Sequence, residues 1–250
     1  MRRALTALVA AACLAPLLAS CGDDDPDKPL PGNADGPAML RVKDAESILL
    51  TLDDVGDDFQ EAPTSPEDAA ESYGCLGVLD QAQTNQQFQV ESRHEAVKDD
   101  YEITVTSRVS TYETLGEPKG DLARFRKAVS SCEDTFENRD GTVYDLEFIF
   151  NDVLTTEPAE DQLNVQASGT LTDDDGDGES RDAYIGYAAT RVGNNVVAVN
   201  VTVFGDYDDP LDDLVRYNDL IIERLVEIAE PVPTESPSVS ESSDDESSDG

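Results

Sequence analysis

The chain is long enough for one ordinary domain, and it is strongly acidic. Its 250 residues include 55 aspartates and glutamates against 17 lysines and arginines, for a formal net charge of -38. A surface of this charge repels nucleic acid, so we expect no nucleic-acid partner and a soluble, monomeric domain. The same acidity fits an alternative function as a cation-binding surface protein.

The amino terminus has the composition of a secretory signal peptide. Arg2 and Arg3 supply positive charge, and residues 4–18 form an uncharged apolar run. That run is too short for a permanent membrane span, which needs about 20 apolar residues. The small residues at 19–20 are typical of a cleavage site, so we expect a leader over residues 1–20.

The stretch Leu18-Ala19-Ser20-Cys21 resembles the lipobox of bacterial lipoproteins. In that family the leader is removed, the cysteine thiol receives diacylglycerol, and the new amino terminus is often acylated. The resemblance therefore implies that Cys21 anchors the chain at the extracytoplasmic face of the cell membrane. Such an anchor is stable with two or more acyl chains and only marginal with one. An ordinary signal peptide beside a chance cysteine is the alternative.

Cysteine usage predicts one disulfide. Removal of the leader takes Cys13 with it, and lipid on Cys21 leaves Cys75 and Cys132. Outside the cytoplasm such a pair persists as a disulfide, which for this loop length stabilises by about 4 kcal/mol. Two unrelated buried thiols are the alternative. A structural zinc site lacks ligands, because the chain has one histidine.

Composition divides the remaining chain into three segments. Residues 21–37 are rich in aspartate and proline and predict a flexible acidic linker. Residues 231–250 are mostly proline, serine and acidic residues, which predicts a disordered tail. Residues 38–230 are sufficient for a single domain.

Helical and turn patterns come first in that domain. Asp44 is predicted to cap a helix over 45–52, which a turn over 53–59 follows. A second helix is predicted from Ser65 and Pro66 to Cys75. His94 is expected to be exposed, in a polar segment that precedes the sheet.

Alternating apolar residues predict the sheet. Strands are expected over 101–109, 144–150, 163–171, 184–192 and 196–204, with the last one central because it is apolar on both faces. A helix with Asp121 in its first turn is expected to carry Cys132 on its core side. Asp209 and Pro210 are predicted to begin a closing helix. This order predicts an α+β fold, a twisted antiparallel sheet of about five strands with helices packed on it.

Residues 47–56, with the sequence Ser-Ile-Leu-Leu-Thr-Leu-Asp-Asp-Val-Gly, resemble the opening helix and turn of the actinobacterial PknH-like extracellular sensor domain family. The cysteine positions and element order extend the resemblance over most of 45–230. Phe59 departs from it, because many members carry tryptophan there, and the chain allows one disulfide where the kinase domain has two. The resemblance implies a non-enzymatic extracellular domain with a cleft for an unknown ligand. The lipoprotein branch of the PsbP-like fold is similar in element order and is the alternative.

An acidic loop matches the first six positions of a calcium loop. Asp173, Asp175 and Asp177 place carboxylates at alternating positions, and a glycine follows the third. The twelfth position is Tyr184 where a bidentate glutamate is needed, so Glu179 or Asp182 would have to complete a weak, millimolar site. A solvated hairpin loop is the alternative.

The sequence contains no convincing catalytic constellation. His94 is the only histidine, no Gly-x-Ser-x-Gly elbow exists, and no phosphate-binding glycine loop occurs. Carboxylates are too abundant to be informative, so a cell-wall-associated hydrolase that uses carboxylates stays an alternative. We predict a membrane-anchored, non-catalytic binding or sensor-like domain. Its small-molecule or cell-wall ligand is expected in a cleft lined by Phe59, Tyr101 and Tyr187.

Overall fold

A computed structural model describes residues 40–63, 86–137, 141–151, 160–172 and 180–229. These ranges contain one antiparallel sheet of eight strands in the order β1-β2-β3-β8-β7-β6-β5-β4. The strands are β1 Gln60–Glu61, β2 Gln86–Val97, β3 Tyr101–Tyr112, β4 Thr135–Glu137, β5 Val143–Asn151, β6 Asp161–Thr172, β7 Ser180–Val192 and β8 Asn195–Gly205. The helices are α1 Val42–Ile48, α2 Leu52–Val55, α3 Gly116–Val129 and α4 Pro210–Ala229.

The predicted α+β class is confirmed, but the estimate of about five strands is wrong for the part of the chain described. Two of the additional strands, β1 and β4, have two and three residues, which is too short to show an alternating pattern. The third, β2, spans twelve residues and is rich in polar side chains. Its apolar residues are too sparse to mark a strand in the sequence.

The sheet carries a helical layer on each face. Successive residues of β7 point to opposite sides, so Tyr187 belongs to one apolar cluster and Ala188 to the other. Helices α4 and α1 cover the side of the sheet to which Ala188 points, which we call the α4 face. Helix α3 covers the side to which Tyr187 points, which we call the α3 face. Strand β8 lies between β3 and β7 and is buried on both sides, so its predicted central position is confirmed.

Helix α4 begins at Pro210, as predicted. Asp209 has a φ of 54°, a left-handed conformation that aspartate tolerates better than most residues. Its carbonyl accepts the backbone N–H groups of Asp212 and Asp213 and so starts the helix. The fully buried Leu214 and Ile221 then seat α4 on the sheet.

The helix predicted over 45–52 is two short helices. Asp44 does not cap; it lies in the first turn of α1, where its carboxylate pairs with Arg41. Thr51 and Asp54 form a capping box that begins α2. Leu50 lies between the two helices, so neither helix satisfies its backbone groups.

Helix α3 is displaced from its predicted position. It begins at Gly116, because Pro118 falls in the first turn, where its missing N–H forfeits no helical bond. Asp121 is therefore inside the helix and buried. The helix ends at Val129, so Cys132 lies just beyond it and packs against the α3-face cluster.

Candidate functional site

The backbone of Leu50 is bonded to the sheet by side chains. Its N–H donates to Ser107 Oγ on β3, at 2.9 Å. Its carbonyl accepts from Ser92 Oγ and from His94 Nε2 on β2, both at 2.9 Å. These bonds satisfy buried groups that would otherwise destabilise the fold.

The direction of each bond in this network is determined. Ser107 accepts from the Leu50 N–H, and Ser92 uses its proton on the Leu50 carbonyl, so Ser107 must donate to Ser92 across 2.8 Å. The carbonyl can only accept, so Nε2 of His94 carries a proton. The result is a closed ring of donors and acceptors that fixes the position of Leu50.

Arg224 of α4 holds the same connection from the other side. Its guanidinium donates to the Leu49 carbonyl at 2.9 Å and to both carboxylate oxygens of Asp54 at 2.7 and 3.0 Å. Burial alone would raise the pKa of Asp54, but the bonds from Arg224 and Thr51 outweigh it and lower that pKa below its ordinary value. The connection is thus tied to β2, β3 and α4.

A pocket of about 450 Å³ lies beside this connection, at the edge of β2. Strand β1 pairs with β2 only as far as the Ala62 N–H, which donates to the Arg93 carbonyl. Ranges 50–53, 61–62 and 91–94 line the space, with polar and apolar groups together. Its volume falls within the range of small-molecule sites.

The charged residues of the pocket differ in their pairing. Glu91 is neutralised by Arg108, whose guanidinium donates to it at 2.6 and 2.8 Å. Asp53 and Glu61 are exposed carboxylates. Nε of Arg93 is buried and has no hydrogen-bond partner.

The expectation for His94 is wrong. The residue is 2% exposed and lies within β2, with its ring held by Leu50. Nδ1 of the ring is buried and has no hydrogen-bond partner. A strand could have been predicted here from Val90 and Ala96, which lie on the same face of β2 as His94. The polar Ser92 and His94 between them interrupt the apolar alternation that marks a strand.

The three aromatic residues predicted to line one cleft do not meet. Phe59 and Tyr101 pack against the α4-face cluster. Tyr187 is 5% exposed on the α3 face, where its ring stacks on Phe125 with centroids 5.0 Å apart. Because sheet residues alternate between faces, these rings are on opposite sides.

Most of the other predicted site residues lie outside the described residues: Cys21, Cys75, Asp173, Asp175 and Asp177. Cys132 is described and packs against the α3-face cluster. Its pairing with Cys75 stays a prediction, as do lipid at Cys21 and calcium at the aspartates.

The described part of the chain has neither a metal-binding cluster nor a membrane-spanning helix. No three histidine, cysteine, aspartate or glutamate side chains in the described ranges lie close enough together to hold a metal ion. None of the described helices combines the length and apolar character of a membrane span.

The chain is similar to known proteins in structure and not in sequence. No protein-family model matches the chain, and no curated protein matches it. The crystal structure of the extracellular domain of PknH from Mycobacterium tuberculosis matches with 14% identity and a TM-score of 0.47. The match covers 76% of this chain and 99% of that domain. At this TM-score the likeness carries no argument about family or function, so membership of the sensor-domain family stays a prediction.

Proposed function

We propose that the chain is an extracytoplasmic lipoprotein whose single domain binds a small molecule without catalysis. Lipid on Cys21 would anchor it to the cell membrane, and residues 21–37 would act as a flexible acidic spacer. The domain, 38–230, would present its pocket to cell-wall or soluble ligands, with the acidic tail 231–250 free.

The pocket beside Leu50 is the observation that carries the proposal. Its walls are fixed by the Ser92–Ser107–His94 network and by the Arg224 ion pair, so the space is preformed. A preformed site binds without the cost of ordering loops or side chains. Its size and mixed lining fit a small organic molecule.

The carboxylates of the pocket support binding over hydrolysis. A carboxylate hydrolase needs one acid kept protonated and a second group ionised across the scissile bond. Here Glu91 is committed to Arg108, and Asp53 and Glu61 lie on the exposed rim of the pocket. This arrangement favours charge recognition over proton transfer.

Anchoring is tested by fractionating cells that express the parent chain or Cys21→Ala. The parent chain should sediment with membranes, whereas the variant should remain in the soluble extracytoplasmic fraction. Ser130→Ala, at an exposed position of the domain, serves as the control and should still sediment. Membrane retention of the Cys21→Ala protein would refute lipid anchoring.

Binding is tested with soluble peptidoglycan fragments and the full chain. A ligand at 100 times its Kd stabilises a folded protein by about 2.7 kcal/mol, so the melting temperature should rise. Ala62→Phe fills the pocket and should abolish the rise while keeping the far-ultraviolet circular dichroism of the parent. An equal rise in both proteins would place binding elsewhere.

A further inference from the structure

Arg93 differs from the other arginines of the described ranges in its pairing. Arg108, Arg191 and Arg224 each lie 2.6 to 2.7 Å from a carboxylate oxygen. Arg93 makes no ion pair with any described residue, and its Nε is buried without a partner. In a chain with 55 acidic residues and 17 basic ones, such an arginine is unexpected.

The carboxylates nearest to Arg93 on its own strand are engaged elsewhere. Glu91 and Glu95 are two residues away on either side, so they share its face of β2. Glu91 is held by Arg108, and Glu95 accepts from Gln60 Nε2 at 3.0 Å. The residue opposite on β3 is Thr106, which carries no charge. Among the residues that the structure describes, the neighbours of Arg93 on β2 and β3 therefore supply no anion to its guanidinium.

A buried, unsatisfied N–H is unfavourable, and an oxyanion is the group that best satisfies a guanidinium. The planar fork of arginine donates two parallel bonds to a carboxylate or a phosphate. Arg93 lines the pocket. Thr51 lines it as well, but its hydroxyl already donates to Asp54. His94 also lines the pocket, and its Nδ1 is buried without a hydrogen-bond partner.

We propose that Arg93 binds the single oxyanion group, carboxylate or phosphate, of the small molecule that occupies the pocket. This inference rests on the proposed binding function and names its ligand class. Asp53 and Glu61 also line the pocket, so a ligand with several negative charges would be repelled. The remainder of the ligand is neutral or donates hydrogen bonds.

The acidity of the whole chain does not prevent this binding. At physiological ionic strength the Debye length is about 8 Å, so distant carboxylates are largely screened. The local guanidinium then dominates the interaction. Because Nε of Arg93 is buried, binding should weaken only modestly as salt rises from low to physiological concentration.

The test uses the backbone amide of His94, the single histidine of the chain and the residue after Arg93 in β2, as a reporter at the wall of the pocket. The full chain, labelled with ¹⁵N-histidine, is titrated with N-acetylglycine, with inorganic phosphate, and with the neutral N-acetylglycinamide. His94 resonances should shift with an anion and not with the amide. Arg93→Gln should weaken anion binding roughly tenfold or more, and Arg93→Lys should weaken it less.

Lys119→Gln is the matched control, because Lys119 is an exposed basic residue of α3 outside the pocket. It removes the same charge and should leave the Kd unchanged. The probe with the lower Kd, N-acetylglycine or phosphate, identifies the oxyanion of the ligand as a carboxylate or a phosphate. Equal affinities for N-acetylglycine and its amide, or for the parent and Arg93→Gln, would overturn the inference and leave the proposed binding function intact. If none of the three probes shifts His94, the inference is overturned as well, and the test with peptidoglycan fragments then decides the proposed function independently.

Discussion

Arg224 of α4 and Asp54 of α2 form a two-bonded ion pair between segments 170 positions apart in sequence. Their side chains are 25% and 13% exposed, so the pair is only partly solvated. Because Arg224 also donates to the Leu49 carbonyl, the last helix of the domain fixes the connection that bounds the pocket. Pocket shape and fold stability are therefore linked through this pair.

Replacing Arg224 by glutamine should destabilise the domain by about 2 kcal/mol, since hydrogen bonds to charged groups contribute about 1.5 to 3 kcal/mol. The variant leaves Asp54 with its charge and without its cation. Urea denaturation measures the loss. Arg216→Gln is the control: its side chain is 58% exposed and pairs within one helix, so the expected loss is about 0.5 kcal/mol or less. Equal losses would contradict the role given to Arg224.

The Asp54 pair predicts a dependence of stability on pH. The pKa of Asp54 is lower in the folded state than its ordinary value near 3.8. Its contribution is therefore fully present above that ordinary value and is lost as pH falls through the depressed folded pKa. The stability difference between the parent and Asp54→Asn should be large at pH 7 and smaller at pH 3. A difference that stays constant between these two pH values would show that the pairing does not depend on ionisation.

The sequence predicted the parts of the fold that have strong periodicity. Strands β3, β5, β6, β7 and β8 and helix α4 combine many apolar residues with regular spacing, so burial determines their structure. Strand β2 could not be predicted in this way, because Ser92 and His94 occupy inward positions and bond to a backbone distant in sequence. That bonding depends on tertiary contact and leaves no periodic signal.

The pocket could not be predicted from sequence for the same reason. It forms where residues near position 50, near 61 and near 92 meet, and nothing in the local pattern indicates that meeting. The aromatic residues chosen for a cleft were selected by type alone. The face to which Tyr187 points depends on the register of β7 against its neighbours, and the sequence pattern predicts that register only approximately.

The network around Leu50 predicts different costs for its two serines. Ser107→Ala leaves the buried Leu50 N–H without an acceptor, and such an orphan costs about 1 to 3 kcal/mol. Ser92→Ala removes the acceptor of the Ser107 hydroxyl, but that hydroxyl can rotate and His94 still donates to the Leu50 carbonyl, so the cost should be smaller, at about 1 kcal/mol. The free energy of unfolding in urea would reveal the order. The control Ser130→Ala, at an exposed helix end, should change the free energy of unfolding little. A larger loss for Ser92→Ala than for Ser107→Ala would refute the bond directions.

Calcium binding by the acidic loop remains a prediction that calorimetry can decide. Calcium titrated into the full chain should give heat with a millimolar Kd, as expected for an incomplete carboxylate loop. Asp175→Ala and Asp177→Ala should remove that heat, whereas Asp212→Ala, an exposed carboxylate of α4, should not. Absence of heat in the parent chain would exclude the site.

Native mass spectrometry of the chain purified from its own membranes tests the central claim most directly. The parent protein should carry a bound small molecule that departs on mild activation, because the preformed pocket retains its ligand. The Ala62→Phe protein, purified in parallel and equally folded, should lack that added mass. Identical spectra for the two proteins, with or without an adduct, would contradict a ligand in the pocket beside Leu50.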